Sequence, residues 1–141
     1  MKAITLAFGL FFSQLAFGQQ IYSAEDVGQH AIYPKNCTTE KNTKDCFTKS
    51  IASDLGNIMT DVAEQFTKGS YATKINFVIN EDGSISDIKP ATEDLFGEKS
   101  AQSFKLLLAK NEISNKKIQA AKINGKNVKM SYSLPVKLVI M

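Results

Sequence analysis

Two cysteines, one histidine and one acidic turn are the groups in this chain whose types and spacing could do chemistry. Cys37 and Cys46 stand nine positions apart, which suits a disulfide in an oxidising compartment. Thiol pairs that shuttle electrons favour Cys-x-x-Cys at a helix N-terminus, a spacing this pair does not offer. A bridge closing so short a loop would stabilise by roughly 2–3 kcal/mol through the unfolded chain in the entropy model. His30 lies in a polar, aperiodic stretch with no thiol or carboxylate cluster spaced to help it, so it reads as a solvated imidazole on a flexible segment and is assigned no role. Glu81, Asp82 and Ser84 fall on an Asp-Gly turn whose local chemistry accounts for them, and no base is positioned near a Ser or Cys nucleophile. One His and two Cys are too few for a closed zinc site without carboxylates. We therefore expect no enzyme, no catalytic residue, no metal and no cofactor.

The elements that position these groups begin with an export segment. Met1-Lys2 precedes an apolar run with Phe8, Leu10, Phe11, Phe12 and Leu15, and Ala16-Phe17-Gly18 supplies small residues where a signal peptidase reads. Residues 1–18 thus read as a cleavable signal peptide, interrupted by Ser13 and Gln14 and shorter than the roughly 20 apolar residues that span a bilayer. No membrane span is expected after cleavage. All 17 cationic side chains are Lys, so the bidentate forks of Arg that read phosphate and base edges are absent, which argues against nucleic-acid recognition.

Residues 19–36, with Gly28 and Pro34, read as an extended leader, poorly ordered, ahead of a domain at 37–141. Phe47, Ile51, Leu55, Ile58, Val62 and Phe66 recur at helical spacing and predict one helix of about five turns, started by Asp45 or Thr43 and ended by Gly69. Ile75, Phe77 and Ile79 alternate with polar neighbours as a strand, the turn 81–84 follows, and Ile85 and Ile88 begin a second strand ended by Pro90. Ala101, Phe104, Leu107 and Leu108 mark a second helix over 98–110, with Asp94 or Gly97 near its start. After the turn signal Asn124-Gly125, Val128, Met130, Tyr132, Leu134, Val136, Leu138 and Ile140 alternate as a third strand. Pro135 lacks a backbone donor, which places that strand at a sheet edge. The expected fold is α+β: a three-stranded, antiparallel-type sheet in the order second, first, third, with two helices on one face. Residues 105–141 carry net charge +7 (eight Lys, one Glu) and residues 19–104 carry −5 (eight Lys, 13 acids). A basic edge deters uncontrolled pairing or attracts an acidic partner.

Ile32-Tyr33-Pro34, Lys74-Ile75-Asn76-Phe77-Val78-Ile79 with Asp82-Gly83-Ser84-Ile85, Asn124-Gly125-Lys126-Asn127-Val128 and Tyr132-Ser133-Leu134-Pro135-Val136 follow one another in an order that resembles the C-terminal domain of TonB, the periplasmic energy transducer of Gram-negative outer-membrane transport. The resemblance covers about 33–140 and is closest to small, exported, stand-alone versions of that domain. It implies a periplasmic module that binds a segment of an outer-membrane receptor as an extra strand on its last strand. The ladder would fall on Val128, Lys129, Met130, Ser131, Tyr132, Ser133, Leu134, Val136 and Lys137, with Lys126, Lys129 and Lys137 selecting partners by charge. A transducer resembling TonB would also carry an inner-membrane helix and a long Pro-rich spacer, whereas this chain has three Pro, and Asn115-Lys116-Lys117-Ile118-Gln119 stands where aromatic and proline residues usually lie. The expectation is a protein-binding adaptor, the alternative a homodimeric structural protein of the envelope.

Overall fold

A computed structural model describes residues 20–34, Cys37 and 43–141; the expected signal segment 1–18 lies outside them. Among the described residues no helix is long and apolar enough to cross a membrane.

The fold is α+β. Strand β1 (Ile21–Ser23) precedes helix α1 (Thr43–Ile58) and the single turn α2 (Thr60–Ala63). The hairpin of β2 (Gly69–Ile79) and β3 (Ile85–Pro90), helix α3 (Leu95–Ile113), and the strands β4 (Ala121–Ile123) and β5 (Lys126–Ile140) complete it. Of the expected stripe, Phe47, Ile51 and Leu55 in α1 and Val62 in α2 are buried, Ile58 and Phe66 pack partly buried against the core, and Met59 between the two helices joins them. The helix is interrupted at Met59, beside the weak helix formers Gly56 and Asn57, where Thr60 Oγ1 donates to the Asn57 carbonyl at 3.0 Å and competes with the helical ladder. Helix α3 starts ahead of its apolar pattern because Asp94 caps it, Oδ1 accepting from the Gly97 backbone N–H at 2.8 Å. That bond, then one from Thr92, hold the Asp94 carboxyl below the usual carboxylate range.

The sheet has five strands rather than three, and it is mixed. Strand β5 is antiparallel to β2 over Met130 to Ile140, and β2 is antiparallel to β3. On the other side of β5, β1 pairs with it in parallel, giving β1-β5-β2-β3, while β4 pairs with residues 126–128 of β5. The expected three-strand order therefore does not describe the sheet. Both additional strands are three residues long, too short to display a period. The turn before β5 forms at Asn124 and Gly125, with φ of 52° and 79°, the positive pair a two-residue hairpin needs.

Alternation then sets the two faces. Ile75, Phe77 and Ile79 of β2 with Met130, Leu134 and Val136 of β5 point toward Phe47, Ile51, Phe104 and Leu107 of the helices and form one core. Ala72, Lys74, Asn76, Ser131, Ser133 and Lys137 occupy the opposite face and stay exposed.

The leader departs most from the sequence reading. His30, Ala31, Ile32 and Tyr33 are all buried, and Gln29 and Ile32 bridge to Lys122 and Gln119. The Tyr33 hydroxyl donates to Asp54 Oδ2 of α1 at 2.8 Å and accepts from Asn111 Nδ2 of α3 at 2.7 Å, joining leader and helices. Burial raises the Tyr33 hydroxyl far above the usual phenol range; the Asn111 bond opposes that rise and Asp54 reinforces it. Cys37 and Cys46 form the expected disulfide, with Cα atoms 5.6 Å apart, and fasten the leader's end to α1.

Candidate functional site

In an antiparallel strand the N–H and C=O of one residue face the same neighbour, and successive residues alternate sides. The Lys74 carbonyl accepts from the Ala91 N–H at 2.8 Å, so Lys74 turns its backbone toward β3. Pro135, directly opposite Lys74 on β5, therefore sits at a non-hydrogen-bonded pair and turns its backbone away from β2. Its missing donor costs the β2 ladder nothing, which is why a long strand tolerates it there.

Carrying the alternation along β5 sorts its backbone groups. Met130, Tyr132, Leu134, Val136 and Leu138 spend theirs on β2. Lys129, Ser131, Ser133, Pro135, Lys137 and Val139 direct theirs to the opposite edge. Strand β1 covers that edge at Lys129 to Ser131, and β4 takes Val128. Beyond Ser131 no strand among the described residues pairs with it. The open edge thus runs over residues 133–139 and presents the N–H groups of Ser133, Lys137 and Val139 and the carbonyls of Ser133, Pro135, Lys137 and Val139.

Within the expected ladder of 128–137 the intrachain pairings leave less backbone open than a whole strand would offer. Val128, Lys129 and Ser131 already have strand partners, Met130, Tyr132, Leu134 and Val136 face the sheet, and only Ser133 and Lys137 of the expected set offer free outward backbone. Pro135 and Val139 belong to the edge as well. Parity explains both departures: assigning a whole strand to an edge counts every residue, while only alternate residues reach the edge.

Beside the open edge lies a groove of about 250 Å³. Helices α1 and α2 wall it with Ala52, Leu55, Gly56, Met59, Thr60 and Ala63, and β5 with residues 135–138. A side chain at Gly56 would meet no atom within 4 Å, so the small residues of this helix face leave the groove clear. Lys137 and Val139 stand exposed above the edge, and Val139, at 65% exposure, is an apolar side chain left in water. Ser133 Oγ bonds across the outer face to Asn76 Oδ1, and Tyr132 bonds through its hydroxyl to Thr48 of α1, which braces β5 against the helix.

The acidic turn is satisfied locally. Asp82 Oδ1 accepts from Ser84 Oγ at 2.6 Å and from the Ser84 N–H at 3.0 Å, and these bonds, the hydroxyl's first, hold its carboxyl below the usual range. Among the described residues no group of three or more His, Cys, Asp or Glu is placed to hold a metal ion. His30 was the residue sequence reasoning missed: it is a buried ring against Phe47 and Tyr132, and only its neighbours Ala31, Ile32 and Tyr33, a short apolar run, hinted at burial. The chain matches no protein-family model, no curated protein and no solved structure.

Proposed function

We propose that this protein is an exported, periplasmic binding module that captures an extended segment of another envelope protein by adding it as a strand to residues 133–139 of β5. The observation that carries this reading is the outward backbone of Ser133, Lys137 and Val139, unpaired by any described strand and bordered by a groove. Main-chain pairing would supply affinity, the groove would take the side chains turned toward α1, and Lys137 would favour acidic residues on the outer face. The resemblance to the TonB C-terminal domain points to an outer-membrane, TonB-dependent receptor as the source of that segment, in a protein without catalytic activity.

The test uses proline at outward positions. Ser133→Pro and Lys137→Pro each remove one outward donor and leave the β2 ladder intact. A net hydrogen bond contributes about 0.5–1.5 kcal/mol, so each change should weaken capture of a receptor-derived peptide about two- to tenfold. Unchanged affinity in both variants would refute strand addition. If the edge pairs instead with a second copy of the chain, sedimentation will show a dimer at tens of micromolar that the same prolines dissolve.

A further inference from the structure

Strand β1 occupies the same edge that the open segment continues. It is three residues long and Ile21 is 47% exposed; in the segment that follows, before His30, Ala24 and Val27 are the apolar side chains against the core, and both are only partly buried. Its polar hold is a parallel register of Ile21, Tyr22 and Ser23 on Lys129, Met130 and Ser131, with Ser131 Oγ donating to the Tyr22 carbonyl at 3.4 Å. The chain then crosses to Gln29, which exchanges two 2.9 Å backbone bonds with Lys122, and reaches His30.

His30 is 6% exposed and packs edge-on between Phe47 of α1 and Tyr132 of β5, with ring centroids 5.1 and 5.4 Å away. Nδ1 donates to the Ala31 carbonyl at 2.9 Å, which fixes the neutral tautomer with its lone pair on Nε2. That Nε2 is buried with no hydrogen-bond partner. The charged and titratable groups around the ring give a proton there no counter-ion. Lys44 of α1 acts on it with like charge, Lys122 of β4 is a second cation one bridge away, and the Tyr132 hydroxyl is engaged with Thr48. Glu25 and Asp87 line the cleft beside Tyr132 but both stand exposed.

We propose that residues 21–30 form a proton-released strap, latched by His30, that covers the Lys129–Ser131 part of the β5 edge at neutral pH and detaches on acidification. A proton on Nε2 would be a buried, unpaired charge, and the strap is the least buried element touching the ring, so it yields before the core does. Burial, opposed by the Ala31 bond and assisted by Lys44, lowers the affinity of His30 for a proton in the closed form. The open form regains an ordinary imidazole, near pKa 6.5. Protonation therefore favours opening as pH falls below that value, and the opening constant rises about tenfold per pH unit until the closed-form pKa is reached. Ala31 to Tyr33 and the Cys37–Cys46 bridge remain as the anchor. Release would lengthen the free edge from 133–139 to 129–139.

Amide hydrogen exchange on the full oxidised chain, corrected for intrinsic rates, tests this between pH 7.5 and 5.0 without any partner. Protection over residues 20–30 and at Lys129 and Ser131 should fall about tenfold per pH unit below about 6.5 and stay well below that of β2 and α3 throughout, as a local opening requires. His30→Phe keeps an aromatic ring in the latch and should make the strap's protection independent of pH. Equal protection at both pH values, or the same loss in His30→Phe, would overturn the proposal. If His30→Phe does not fold, the ring titration of the native protein decides: a His30 pKa at or above 6.5 overturns it, and a lower one that coincides with changes at Tyr22 and Ser23 supports it. Peptide capture is a separate measurement, so a strap that opens in a protein capturing nothing would sink the proposed function and leave this device standing.

Discussion

Proline scanning along β5 offers a direct check on the parity argument, because neighbouring residues should respond in opposite ways. Lys137→Pro places the ring where the N–H already points away from β2, on an exposed side chain, and the residue before it is extended as proline requires. Its cost is the adjustment of φ toward −65°, about 1 kcal/mol or less. Val136→Pro strikes an inward position opposite Thr73, with a side chain only 7% exposed. Truncation alone, read from Val136→Ala, should cost about 2 kcal/mol from two lost methyl groups and the space they leave. Proline adds a broken ladder bond and an orphaned Thr73 carbonyl, about 1–3 kcal/mol more. The expected totals are about 4 kcal/mol for Val136→Pro and about 1 kcal/mol for Lys137→Pro, read by urea denaturation followed by circular dichroism, with Val136→Ala as the reference. Comparable losses at the two positions, or a larger one at Lys137, would refute the assignment of outward and inward backbone and with it the open edge.

Replacing Cys37 and Cys46 together by Ala should lower stability by about 2–3 kcal/mol, from the chain entropy of a short loop, and calorimetry of the two proteins under non-reducing conditions will show it as a lower Tm. Tyr33→Phe deletes the acceptor of Asn111 and the donor to Asp54, and should cost about 1–3 kcal/mol in denaturant titration, much of it recovered when Asn111→Leu is added. Gly83→Ala should be among the costliest single changes outside the core, since φ is +85° there and the new Cβ would fall 2.0 Å from the Ile118 carbonyl oxygen; a midpoint shift below that of Gly125→Ala, whose Cβ meets nothing, would contradict this. Global stability should also decline between about pH 6.5 and 5, above the carboxylate range, because the unfolded chain then binds the proton that buried His30 resists, and the decline in that window should vanish in His30→Phe.

Local chemistry made much of this fold readable. The stripe from Phe47 to Val62, the β2–β3 turn at Gly83 and the seven alternating apolar residues of the last strand each declare themselves within a short window, and the structure places all of them as elements. Pro135 carried longer-range information, since a missing donor constrains which side of a strand can be bonded. What stayed hidden depends on residues far apart. Strands β1 and β4 are three residues each and exist because β5 offers them backbone, so nothing within Ile21–Ser23 announces a strand. His30 is buried by rings from Phe47 and Tyr132, neither of them near it in the chain. The last strand is not a sheet edge along its whole length as Pro135 suggested, because β5 lies between β1 and β2; the leader's pairing was hidden since it joins residues 21–23 to 129–131.

The bridge from Cys37 to Cys46 changes the kinetics of whatever happens at that edge. Strand β1 hangs from a fixed point by a short segment, so after each excursion it searches a small volume and returns on the timescale of closing a loop of about ten residues, tens of nanoseconds. It behaves as a ligand supplied at an effective concentration in the millimolar range. An outside segment seeking Lys129 to Ser131 competes with that leash, whereas one confined to 133–139 meets no rival. Reduction would leave β1 tethered through the backbone but remove one of the points that shorten its leash, so the effective concentration would fall as the leash lengthens and the same foreign strand would reach further along β5.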